Sequence, residues 1–153
     1  MYNYILEKLP YKSSFRFIDN VSELNENGVT GDYTLEKDAF FYEDHFPGQP
    51  ITPGVILIEI MAQIGLVILG IFIINLSDNS SEGQEGILFP LLTSTDVSFY
   101  KMVLPGQKVT VVSKKEYFRF NKLKCNVQMF DESGELVARG IFAGTIGKVK
   151  IKS

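Results

Sequence analysis

The sequence predicts an α+β fold, a curved antiparallel sheet wrapped around one long apolar central helix. Three observations point there. Residues 55–74 form a run of twenty that is nearly all apolar and sits behind a Thr-Pro-Gly triplet, the mark of a helix start. KLKCNVQMF, residues 122–130, sets Leu123, Cys125, Val127 and Met129 against Lys122, Lys124, Asn126 and Gln128, a two-residue period with one dry face and one wet face. Turn signals recur around it, NENG at 25–28, LPG at 104–106 and DESGE at 131–135, and these suit strands joined by tight reversals. A helix that is hydrophobic all round must be buried, and a sheet with one apolar face can bury it.

Taken in order, Tyr2 to Leu9 reads as a short opening helix, stopped because the residue before Pro10 avoids the helical region. Ser14 to Leu24, with Phe15, Phe17 and Val21 among polar neighbours, reads as a first strand, and Val29 to Leu35 returns after the Asn-Gly pair. Lys37 to Gln49 is loop and holds the only histidine, His45. Thr52 is expected to be the N-cap and Pro53 the first helical residue. The helix should run to about Ile74, roughly 33 Å at 1.5 Å per residue. Asn75 to Gly86 is a polar connection expected to be mobile. Strands follow at Thr95 to Lys101, Gln107 to Lys115, residues 122–130 and Leu136 to Ile146. No repeat or second domain interrupts residues 1–153, which are expected to form one domain. One curved sheet covers one side of a rod, so a second copy is expected on the other, making at least a homodimer.

Bulk properties exclude some functions. A net charge of −3 and a pI near 5.2 argue against non-specific nucleic-acid binding, which needs a strongly basic face. The single cysteine, Cys125, rules out an internal disulfide framework. The opening residues carry no basic segment followed by an apolar one, so no secretory signal is read and the cytoplasm is the default location. Residues 55–74 are long enough to cross a bilayer, but Glu59 and Gln63 share one helix face inside the run. A carboxylate at membrane depth costs on the order of 2.5 kcal/mol or more, and no Lys or Arg cluster flanks the run. A helix buried by its own sheet is the better reading, with no membrane span. One histidine and one cysteine far apart make no metal site, and no glycine-rich phosphate loop is present. No cofactor is implied.

HFPGQPITPGVILIEIMAQ, residues 45–63, resembles the signature of the β-hydroxyacyl-acyl-carrier-protein dehydratases of bacterial fatty acid synthesis. The matching elements are His45-Phe46-Pro47-Gly48, Pro53-Gly54-Val55, Glu59 and Ala62-Gln63, with a step of fourteen residues from His45 to Glu59. LPYKSSFRFIDNV from Leu9 and STDVSFYKMVLPGQKV from Ser94 resemble the family's opening strand and its strand–Pro-Gly–strand. The chain departs from the pattern at Tyr11-Lys12, where the family usually has His-Arg, and at Gln49, where His is common. The resemblance implies the hotdog fold, a homodimer at least with a trimer of dimers as the larger assembly, and an acyl carrier protein bearing a 3-hydroxyacyl thioester as partner. It implies dehydration to a trans-2-enoyl thioester, in fatty acid or a related polyene or polyketide biosynthesis. Glu59 rather than Asp points to the branch that dehydrates without isomerising the product. It also implies that each site takes its two catalytic residues from different chains.

Eliminating water from such a thioester needs a base for the proton beside the carbonyl, an acid for the departing hydroxyl and donors for the charge on the thioester oxygen. Neutral imidazole, with a reference pKa near 6.5, suits the first task, so His45 is the expected base. A carboxylic acid in apolar surroundings titrates high because desolvation penalises its charged form. Glu59, alone in its apolar run, is the expected proton donor, directly or through a water. The free N–H groups of Gly54 and Val55 at the helix start are the expected oxyanion donors, and Gln63 the hydrogen-bond partner behind Glu59. The plainer readings are a surface histidine, a structural buried glutamate and a glycine chosen for tight packing. Arg16, Lys101, Lys108, Arg119, Lys122 and Lys124 are candidate docking cations for an acidic carrier, or simply a solvated sheet face. The competing functions are a hotdog acyl thioesterase, with Glu59 activating water, and a non-catalytic acyl-binding subunit.

Overall fold

The computed structural model describes residues 2–77 and 87–149. A 3-10 helix (Asn3–Lys8) and a 3-10 turn (Ser13–Phe15) precede the hairpin β1 (Asn20–Asn25) and β2 (Gly28–Thr34). The central helix is α1 (Gly54–Ala62), a π-helical turn (Gln63–Val67) and α2 (Ile68–Ser77), and β3 (Ile87–Phe99), β4 (Lys108–Arg119), β5 (Lys122–Phe130) and β6 (Leu136–Val149) follow. All strand neighbours are antiparallel, in the order β1-β2-β4-β5-β6-β3. The sheet curls around the central helix, and this is the predicted hotdog arrangement.

The two-residue period of β5 does what it predicts. Leu123, Cys125, Val127 and Met129 are buried against the helix, and the alternate residues face outward. In the helix every residue from Ile60 to Ile71 is buried. The sheet comes close enough for this because Gly65 has no side chain. A Cβ there would meet both Val127 methyls at 2.9 and 3.0 Å, and the Gly65 carbonyl accepts from the Ser113 hydroxyl at 2.7 Å.

Several expectations need correction. The chain's own N-terminal segment also covers the helix, through buried Ile5, Leu6, Phe17 and Ile18. The first strand starts at Asn20 rather than Ser14, because Gln63 captures the backbone of residues 15 and 17. Pro53 is the N-cap and Gly54 the first helical residue. Thr52 makes no cap bond, and its hydroxyl shares a 2.5 Å hydrogen bond with the Tyr42 hydroxyl instead. The helix continues to Ser77, so Asn75 is helical, and residues 78–86 of the expected mobile connection lie outside the described residues. β3, β4 and β6 are each longer than their patterns suggested.

Candidate functional site

His45 lies at the end of a loop and is half-buried. The next four residues close a tight turn in which Phe46 N–H donates to the Gln49 carbonyl (3.2 Å) and Gln49 N–H to the Phe46 carbonyl (2.9 Å). Pro47 takes the second position and Gly48, at φ +76°, the third, the residue pattern of a type II turn, where only glycine is unstrained. The turn folds residue 51 back beside residue 45. Ile51 N–H donates to the His45 carbonyl (2.9 Å), and His45 Nδ1–H donates to the Ile51 carbonyl (2.8 Å). A carbonyl can only accept, so the ring carries its proton on Nδ1 and a neutral imidazole presents the Nε2 lone pair. Phe46 stacks on the ring with centroids 4.2 Å apart, fixing its plane.

Glu59 and Gln63 sit one turn apart on the central helix, as their spacing requires. Gln63 is fully buried and uses its whole amide. Nε2 donates to Glu59 Oε1 (2.9 Å) and to the Phe15 carbonyl (2.9 Å), and Oε1 accepts from Phe17 N–H (2.8 Å). One side chain therefore fixes the carboxylate and straps the N-terminal segment across it. Glu59 itself is half-buried, not enclosed as its apolar neighbours in sequence suggested. Tyr11 completes this side. Its ring lies 6.2 Å from that of Phe15, whose carbonyl Gln63 holds, and burial, then the negative charge of Glu59, push its hydroxyl up to about 12. Sequence reasoning marked Tyr11 only as a departure in the Leu-Pro block.

The helix start contributes a third feature. Gly54 and Val55 N–H have no acceptor among the described residues, so two donors point out of the positive end of the helix dipole. The Phe99 ring lies 3.3 Å from where a Gly54 Cβ would be, so this glycine serves tight packing. Val55 is 72% exposed.

The fold brings Glu59, Gln63 and Tyr11 together. It does not join His45 to Glu59: among the described residues no hydrogen bond or ion pair links them. Of the candidate docking cations, Lys101 is paired with Asp131 and Glu135, Lys108 with Asp32 (3.9 Å) and Lys124 with Glu116 (3.7 Å). Arg119 lies over the Tyr117 ring at 4.3 Å. Arg16 is exposed, next to the residue that Gln63 holds.

Residues 9–140 match the FabA-like domain family. The 3-hydroxyacyl-[acyl-carrier-protein] dehydratase FabZ of Acinetobacter baylyi is 32% identical over 122 residues, 76% of this chain and 78% of that protein. FabZ of Syntrophobacter fumaroxidans is 31% identical over 146 residues, 95% and 93% of the two chains. In shape, the dehydratase heterocomplex ApeI:P from Xenorhabdus doucetiae aligns with a TM-score of 0.74 at 13% identity, covering 94% of this chain and 90% of that one. A hypothetical thioesterase with coenzyme A from Streptococcus pneumoniae aligns at 0.60 and 12%, covering 86% and 88%, a likeness of fold alone.

Proposed function

The chain belongs to the FabA-like family of hotdog 3-hydroxyacyl-carrier dehydratases, and from that membership we propose that it removes water from 3-hydroxyacyl thioesters on acyl carrier protein, giving trans-2-enoyl thioesters for fatty acid biosynthesis. The observation that carries the residue assignment is the His45 ring, held by Nδ1 on the Ile51 carbonyl with Nε2 left open. Nε2 takes the proton from the carbon beside the thioester carbonyl. The electron pair moves onto the thioester oxygen, where Gly54 and Val55 N–H receive it. It then returns to form the double bond as the C–O bond breaks, and Glu59 protonates the departing hydroxyl directly or through a water. General acid–base help of this kind is worth roughly 10²–10⁴ in rate, and an oxyanion donor about 3 kcal/mol. Gln63 holds one carboxylate oxygen and leaves the other for the substrate.

The working unit is a dimer in which His45 of one chain meets Glu59 of the partner subunit. What supports this is β3, an edge of the sheet among the described residues, with Leu91, Leu92 and Phe99 exposed along it and Tyr100 and Met102 just beyond. An apolar unpaired edge of that length invites pairing with another strand, and exposed Val55 lies next to it. Carrier docking falls to Arg16 and the neighbouring exposed Lys12, since they border the strap over Glu59.

The test follows enoyl formation and free thiol together on a 3-hydroxyacyl carrier thioester, for wild type and His45→Ala. Enoyl product from wild type only, without thiol, is the expected result. Thiol release would make the chain a thioesterase. Neither product on any chain length would leave an acyl-binding subunit.

A further inference from the structure

The β4–β5 hairpin ends in a feature that neither the core nor the site uses. Arg119 pairs with Lys122, and the two residues between them, Phe120 (φ +52°) and Asn121 (φ +59°), both lie in the left-handed region. This is a type I′ turn, whose first position favours Asn, Asp or Gly. A phenylalanine there is strained, and its ring gains nothing from the chain in return, being 97% exposed. Cations surround it. Residues 114–124 hold Lys114, Lys115, Arg119, Lys122 and Lys124 against one anion, Glu116, in a chain of net charge −3. The pairings Lys114 with Asn126, Tyr117 with Lys124 and Arg119 with Lys122 set four of the five cations on the outward face, opposite buried Leu123 and Cys125.

The apex also stands apart from the site. Leu123 lies against Gly70, eleven residues beyond Glu59 and so about 16 Å further along the helix, while Gly54 marks the other end.

We propose that this hairpin tip docks on anionic lipid surfaces, Phe120 entering the acyl boundary and Arg119, Lys122 and Lys124 meeting the headgroup phosphates. The inference is independent of the dehydratase reading. A bilayer fits better than an acidic protein, because a stable protein contact needs about 800 Å² from each partner and a two-residue apex offers little area. A bilayer asks only for one inserted apolar ring with cations behind it.

The full chain is floated with vesicles of phosphatidylcholine alone and of phosphatidylcholine with phosphatidylserine. Wild type should float with the anionic vesicles only, and less as salt rises. Phe120→Asn, which the turn favours and which therefore folds, should weaken the partition constant onto vesicles about tenfold, as expected for withdrawing one aromatic ring from lipid. Arg119→Gln/Lys122→Gln should fall similarly, with turnover on a soluble thioester unchanged in Phe120→Asn. The proposal is overturned if wild type does not float, or if Phe120→Asn floats as well as wild type. It also fails if that variant changes instead the sedimenting mass, making the tip a contact between copies, or the binding of carrier protein.

Discussion

Replacing Gln63 by Leu keeps the volume of the side chain and deletes its amide. Three hydrogen bonds go, to Glu59 Oε1, from Phe17 N–H and to the Phe15 carbonyl. Their losses are unequal. Phe17 is buried, so its N–H is left without a partner, at about 1–3 kcal/mol. Phe15 is 45% exposed, so water can reach its carbonyl and that bond is worth nearer 0.5–1 kcal/mol. Glu59, half-open, can also find water and loses mainly its orientation. The sum is about 2–4 kcal/mol, which for a chain of this size lowers the melting temperature by roughly 5–15 °C. Gln63→Glu separates the two roles, because it can still accept from Phe17 N–H but places a second carboxylate against Glu59. It should melt above Gln63→Leu at low pH, where the protonated acid accepts from Phe17 N–H and donates to the Phe15 carbonyl, lose that advantage as pH rises and its buried charge faces Glu59, and still turn over poorly. The measurements are thermal unfolding by circular dichroism and steady-state dehydration on one thioester, with kcat expected to fall far more than KM changes. If Gln63→Leu melts within a degree of wild type and keeps its kcat, the strap over the carboxylate is not what positions Glu59.

Other consequences follow from single contacts. The Asp131 carboxylate accepts from Ser133 N–H (2.9 Å), the Ser133 hydroxyl (2.6 Å) and Glu135 N–H (3.0 Å), and is paired with Lys101. The Lys101 bond first, then Ser133, hold it well below the usual carboxylate range. A depressed native pKa means stability that is complete above the unfolded value near 4 and is lost as pH falls below it. Acid titration of unfolding should therefore show Asp131→Asn less stable than wild type at pH 7, with the gap closing below pH 4. Gly65→Ala should cost about 1–3 kcal/mol in urea unfolding, since its methyl would strike Val127. A neutral result there would mean that helix and sheet can separate more easily than the packing implies.

The parts of the fold written in a single periodicity were legible from sequence. β5 alternates cleanly because one face meets Gly65 and Gly70 on the helix and the other meets water. The helix was legible from its apolar run. The first six residues of β3, ILFPLL, were not, because an apolar segment with a proline shows no alternation, and proline in a strand is tolerated at an edge such as this one. The π-helical turn at Gln63–Val67 leaves no mark in residue spacing. The cover that Ile5, Phe17 and Ile18 give the helix could not be foreseen, since it depends on a tertiary bond from Gln63 to backbone 46 residues earlier. Within the site, His45, Gly54, Val55, Glu59 and Gln63 were all nameable from one stretch of nineteen residues. What holds them was not: the Nδ1 bond to Ile51, the full use of the Gln63 amide and the approach of Tyr11 are distances, and distances come from the fold.

The most direct test of a site shared between chains is to unfold and refold His45→Ala and Glu59→Gln together and follow enoyl formation. Each variant alone should be inactive. In a mixed dimer one site carries both substitutions and the other carries neither. Statistical pairing of equal amounts then predicts recovery of about a quarter of the wild-type rate. A mixture that stays inactive, while gel filtration shows the two variants paired, would contradict a site built from His45 of one chain and Glu59 of the partner subunit.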